Sequence, residues 1–220
     1  MTTTRNVLFL ALALAVSPAF AAQDISKVNG SITAEAGQTY GELQTVNGAI
    51  RISAGASTQD AGTVNGSINV GKGANTGGLE TVNGSIRVDR DVTVDGGIET
   101  VNGGVFVDRG GRVKGGVETV NGSIGLVGTQ LGKGIQTVGG DITVGADSVV
   151  RGGIKIQKHQ SWLKNNSKRD PRVIIGPNAV VEGPLVFERP VSLHVHRSAR
   201  IGPVTGASAR IFEGDAAPKD

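Results

Sequence analysis

The 220-residue chain contains no cysteine. Disulfides, thiolate metal sites and thiol redox chemistry are therefore excluded, and stability must come from packing and backbone pairing. Aromatic residues are scarce at 3%, with one Trp and one Tyr. A core with so few rings has to be thin, and the many Val and Ile side chains suit it to β structure. No apolar run reaches the ~20 residues that a membrane-spanning helix needs. Glycine, in contrast, is abundant at 35 residues, but it follows no G-X-Y period and so does not signal collagen.

The longest apolar run, Val7 to Val16, follows Arg5 and precedes Ser17-Pro18-Ala19-Phe20-Ala21. A positive start, a short apolar stretch and small residues at its exit make a bacterial-type secretory signal, here residues 1–21. The expected cleavage is after Ala21 or Ala22, which sends the mature chain to the periplasm or the medium. No Cys follows the run, so a lipoprotein anchor is excluded. The formal charge of +3 conceals a split: residues 22–150 carry 9 basic against 13 acidic side chains, and residues 151–210 carry 11 against 3. Such an asymmetry bears on partners rather than on fold.

What dominates the mature chain is a repeat. Val-Asn-Gly occurs at 28–30, 46–48, 64–66, 82–84, 101–103 and 120–122, and decays to Val138-Gly139-Gly140. The spacings are 18, 18, 18, 19, 19 and 18. Helical solenoids need repeats of roughly 33–47 residues, so this period excludes them. Within a repeat, apolar residues pair at alternating positions and the pairs start six residues apart: Ile86 with Val88, Val92 with Val94, Ile98 with Thr100 or Val101. Alternation sends such side chains to one face of a strand. Three short strands per repeat predict an all-β fold, a single-stranded parallel β-solenoid of triangular section with coils ~4.8 Å apart. The six-residue beat persists past the last triplet through Ile142, Ser148 and Ile154, and resumes at Val173, Ala179, Leu185 and Val191. The solenoid is thus expected over 22–156 and again over 172–211, about ten coils of 18–19 residues, with a polar tail at 212–220.

Asn-Gly between apolar stretches ordinarily marks a hairpin. A hairpin array does not require the same corner every 18 residues, so we read each Asn-Gly as a solenoid corner, with Gly adopting positive φ. Asn29, Asn47, Asn65, Asn83, Asn102 and Asn121 are then expected to stack as a ladder of amide hydrogen bonds. These TVNGSI-type coils, best copied in Leu79 to Val88, resemble bactofilin-type polymer-forming proteins and related bacterial solenoids described as adhesins. The resemblance spans roughly residues 24–210 and implies a right-handed triangular β-helix with end-to-end self-assembly. The signal peptide departs from the cytosolic setting of bactofilins. An 18-residue coil also suits the left-handed hexapeptide helix.

The beat is broken once, by the basic loop at 157–171, Gln157 to Pro171, which holds the sole Trp. Arg151, Lys155, Lys158, Lys164, Lys168, Arg169 and Arg172 surround Trp162 there and form the candidate site for an anionic partner. Outside a cell such partners are acidic polysaccharide, lipopolysaccharide phosphate, lipid headgroups or DNA. Three further features rank lower. Glu80, Glu99 and Glu118 share a column that a cation could bridge, but few other oxygens accompany them. His194 and His196 are expected to face solvent together, without a third metal ligand. The Thr column at 45, 63, 81, 100, 119 and 137 offers a weak ice-binding reading. No cofactor, metal or catalytic set is expected, and the reading is a secreted structural or interaction rod that self-associates or binds an anionic envelope polymer. The alternative is a β-helix enzyme acting on a glycan or acyl group through a loop residue such as His159.

Overall fold

A computed structural model of the protein describes residues 22–158, 169–214 and 217. Among these residues there are 27 strands and no helix. One coil serves for all. β8 (Leu79–Asn83) runs along the first face, the chain turns at Gly84, and β9 (Ile86–Val88) runs along the second. After another corner β10 (Thr93–Val94) forms the third face, and β11 (Ile98–Asn102) then lies directly on β8. Pairing is parallel and in register, with Leu79 opposite Ile98, Glu80 opposite Glu99, Thr81 opposite Thr100 and Asn83 opposite Asn102. Repetition gives three parallel sheets of ten, seven and ten strands, a β-solenoid of about nine turns. It begins at β1 (Gln23–Asn29) and ends at β27 (Ala209–Phe212).

The core is a bundle of apolar columns. Leu43, Ala61, Leu79, Ile98, Val117, Ile135, Ile154 and Leu185 stack inside the first face. Ile50, Ile68, Ile86, Val105, Ile124, Ile142, Val173 and Leu193 stack inside the second. All sixteen are at most 2% exposed. Each Val, Leu or Ile among them contributes roughly 1.5–3 kcal/mol by leaving water. The solenoid continues beyond the Val-Asn-Gly repeats because the columns do: Ile142 opposes Val173, and Ile154 opposes Leu185, although the residues from 157 to 171 lie between.

Both Thr and Val of the Thr-Val-Asn-Gly stretch fall on β strands, and it is Thr that turns inward. Thr45, Thr63, Thr81, Thr100 and Thr119 are buried, and each hydroxyl donates to the carbonyl of the corner glycine one coil back, at 2.9–3.3 Å. A corner carbonyl that faces the core needs a donor, and Val has none to offer. Val28, Val46, Val64 and Val101 consequently stand on the outside, 39–68% exposed. The inward Thr column presents no hydroxyl array to solvent, which removes the geometric basis of the ice-binding reading.

The Val-Asn-Gly glycines correct the expectation about positive φ. Only Gly30 has it, at 111°. Gly48, Gly66, Gly84, Gly103, Gly122 and Gly140 are required for another reason: a Cβ on any of them would overlap the carbonyl oxygen of the corner glycine one coil back. Left-handed backbone sits instead at the corner between the second and third faces. There Gly37, Gly55, Gly73, Asp91, Gly110, Gly128, Asp147 and Asn178 form a column with φ of 50–76°. Asp and Asn tolerate that conformation better than other side chains do.

Two substitutions separate these roles. Gly84→Ala should lower unfolding stability by at least about 1–3 kcal/mol, the usual effect of overpacking. Gly55→Asn should change it little, because its φ of +67° suits Asn and no atom lies within 4 Å of the place a Cβ would take there. Urea denaturation of both variants checks this, and equal losses would sink the distinction.

Candidate functional site

The corner between the first and second faces carries the amide ladder. Asn47 donates from Nδ2 to Asn29 Oδ1 at 3.0 Å, and Asn65, Asn83, Asn102 and Asn121 repeat the bond one coil at a time at 2.9, 3.0, 3.0 and 3.2 Å. In-register stacking makes this possible, since equivalent amides lie one coil step apart. The ladder stops at Asn121, because Gly139 occupies the next place in the column.

The described members of the basic cluster do not gather on one face. Trp162, Lys164 and Lys168 lie outside the described residues, as does His159. Arg151 is exposed just after β19 (Val149–Val150), on the corner leading from the third face to the first. Lys155 lies on the first face in β20 (Ile154–Ile156), with Nζ 2.9 Å from Glu188 Oε1. The Lys158 backbone N–H donates to Glu188 Oε2 at 3.2 Å. These two bonds, the Lys155 one foremost, hold the Glu188 carboxyl below the usual range. Arg169 pairs with Asp141, and the backbone N–H of Arg172, at the start of β21 (Arg172–Ile175), donates to Asp141 Oδ1 at 2.9 Å. Lys155 and Arg169 are thus already matched by carboxylates, and the five described cations are spread over more than one face.

The column of Glu80, Glu99 and Glu118 stands outward on the first face, continued by Gln136 and then Lys155. A shallow groove of about 520 Å³ runs beside it, floored by corner glycines such as Gly97, Gly116 and Gly134. Among the described residues no three His, Asp or Glu side chains converge as metal ligands. The paired-histidine expectation fails. His196 is half-buried, with Nδ1 2.8 Å from Ser198 Oγ and its ring edge-on to Phe212 at 5.1 Å. His194 is only 3% exposed. Leu193, His194 and Val195 are all buried, so β24 (Ser192–His196) is covered on both sides and alternation no longer implies exposure.

The sequence reading misses one outward array. Arg51, Asn69, Arg87 and Phe106 occupy successive places in one column of the second face. The Arg87 guanidinium lies 5.5 Å from the Phe106 ring centroid. Asp89 and Asp108 border the same 430 Å³ groove. Neither Arg51 nor Arg87 has a carboxylate partner among the described residues. The signal is present in the repeat itself, at the variable position of Ser-Ile-x-Val, and requires reading that position down the column.

No protein-family model matches the chain, and neither does any curated protein or solved structure. Among the described residues, no helix is long and apolar enough to cross a membrane.

Asn83→Ala removes two rungs, those to Asn65 and Asn102. The expected loss is about 1–3 kcal/mol, at ~0.5–1.5 kcal/mol for each net hydrogen bond. Asn83→Ser, which cannot bridge both neighbours, should lose nearly as much in thermal unfolding, and an unchanged Asn83→Ala variant would show the ladder to be incidental.

Proposed function

We propose that the mature chain is an exported structural rod that associates with itself through its C-terminal end. The observation that carries this reading is Ile211, which pairs in register with the core residue Val195 yet is 64% exposed. It stands on the outermost strand of its sheet, and no described residue covers it. An open strand edge with an apolar side chain beside it is a template for another chain. The N-terminal end differs. Lys27 fills the inward place that Thr45 holds one coil later, and its ammonium folds back to Ser31 O at 2.9 Å. An inward-pointing charge on an edge strand opposes further pairing. Two C-terminal ends meeting about a two-fold axis therefore form a closed dimer rather than an open filament. The signal-like segment before residue 22 supports export, and the thin, uniform coil supports a scaffold over a catalyst.

Sedimentation of residues 22–220 over a wide concentration range tests this. The parent should show dimers, Ile211→Lys should be monomeric, and Lys27→Thr should add longer polymers by unblocking the second end. A parent that stays monomeric, or a dimer indifferent to Ile211→Lys, overturns the proposal.

A second reading is that the rod also binds an acidic polysaccharide. It is favoured by the unmatched Arg51 and Arg87 beside the Phe106 ring, which suit sugar carboxylates and a sugar face respectively. The neighbouring Asp89 and Asp108 can accept from sugar hydroxyls. Polygalacturonate binding should weaken as added salt shortens the Debye length below ~8 Å. Arg51→Ser with Arg87→Ser should abolish it. If Lys164→Ser, Lys168→Ser and Arg169→Ser abolish it instead, the 157–171 segment is the site.

A further inference from the structure

We infer that Asn121 is a site of spontaneous covalent modification, the one Asn-Gly of the ladder open to deamidation while the protein is folded. Asn-Gly is chemically prone to this reaction because glycine leaves its own backbone nitrogen unhindered. The Gly122 nitrogen attacks Asn121 Cγ, a C–N bond forms, and the Cγ–Nδ2 bond breaks with release of ammonia. The resulting succinimide takes up one water at either carbonyl and opens to aspartate or isoaspartate. Water enters, ammonia leaves, and no oxidant or reductant is needed.

The fold ties down both reacting groups at the other five sites. The nucleophile is held because Gly30, Gly48, Gly66, Gly84 and Gly103 each donate their N–H to the Asn carbonyl one coil on, at 2.9–3.1 Å. The electrophile is held because Asn29, Asn47, Asn65, Asn83 and Asn102 each accept at Oδ1 from the next amide. Asn121 has neither restraint. Gly139 follows it in the column and brings no amide to its Oδ1, and the Gly122 N–H makes no hydrogen bond among the described residues. The same corner fails in a third way, since Thr137 Oγ1 lacks the glycine carbonyl that its five counterparts reach. A 360 Å³ cavity lined by Gly122, Ser123, Gly139 and Asp141 admits water there. Its charged lining is balanced, Arg169 and Arg189 against Asp141 and Asp170, so access of water rather than a local field is what it contributes.

The product matters to this fold. Aspartate sets a charge at the last rung, and isoaspartate lengthens the main chain at a corner where coils already touch backbone to backbone. The modification therefore falls at the boundary between the Val-Asn-Gly coils and the basic C-terminal coils.

The test is incubation of the folded mature protein at mildly alkaline pH, with peptide mapping by mass spectrometry and enzymatic isoaspartate assay of all six sites. Asn121 should react at least about tenfold faster than the other five, the ratio set by freeing two ordinary hydrogen bonds. In denaturant the six rates should converge, which separates folding from local sequence. Gly139→Asn supplies the missing rung and should slow Asn121 toward the others. Equal rates in the folded parent, or Asn29 leading, overturn the inference. So does a folded Gly139→Asn variant in which Asn121 reacts as fast as before.

Discussion

Every feature of this molecule depends on one constraint, the in-register parallel stacking of coils ~4.8 Å apart. Stacking places each residue against its own equivalent, so a side chain is selected for how well it packs on a copy of itself. Ile on Ile buries apolar surface on both sides. Asn on Asn forms a donor-acceptor rung. Gly at the corner lets two carbonyl-bearing backbones approach where any Cβ would collide. Glu80 on Glu99 on Glu118 runs against this pattern, because like charges one coil apart repel and are relieved by water and salt. The exposed ion pairs, such as Lys114 with Asp95 at 2.7 Å, add little, typically under ~1 kcal/mol. Without disulfides, the apolar columns and backbone ladders hold the rod.

The same constraint decides what the sequence could reveal. The period, the parallel pairing, the six-residue beat and the Asn column all follow from the spacing of residues, and spacing is visible in one dimension. The side of the sheet is harder. Alternation divides a strand into two sets but does not say which set is inside when both contain plausible core residues. In Leu79-Glu80-Thr81-Val82, apolar Val82 loses the interior to Thr81 because Thr81 can satisfy the Gly66 carbonyl. That preference depends on a neighbouring coil and is invisible within one repeat. The glycine corner misleads for a similar reason, as an intercoil contact looks in sequence like a local turn.

The candidate sites are less legible than the fold. Charge clustered along the chain suggests charge clustered in space, yet a solenoid distributes 18 consecutive residues around all of its faces. The described residues of the 151–172 stretch accordingly fall on different faces, Lys155 in β20 of the first and Arg172 in β21 of the second, and Lys155 and Arg169 meet Glu188 and Asp141. A patch on a solenoid has to be sought at intervals of one coil. Arg51, Asn69, Arg87 and Phe106 are far apart in sequence and adjacent on the surface for that reason. His194 shows the opposite limit. Its column neighbours Ile174 and Arg210 give no hint that its outward side is closed.

Solenoid stability is approximately a sum of coil terms and nearest-neighbour terms, so a fault in one column is felt mainly by the adjoining coils. The corner at Asn121, Gly122 and Gly139 is such a fault, where three hydrogen bonds present in every earlier Val-Asn-Gly coil pair are missing together. The core columns nevertheless pass through it intact, Val117 to Ile135 and Ile124 to Ile142. Apolar stacking and the polar ladder are therefore separable supports: the first carries continuity of the rod, and the second fixes the corner. A chain that keeps the first while relaxing the second can change charge and repeat length after residue 140 without breaking its sheets. One continuous solenoid thereby joins an acidic part, with Val-Asn-Gly every 18 or 19 residues, to a basic part without it.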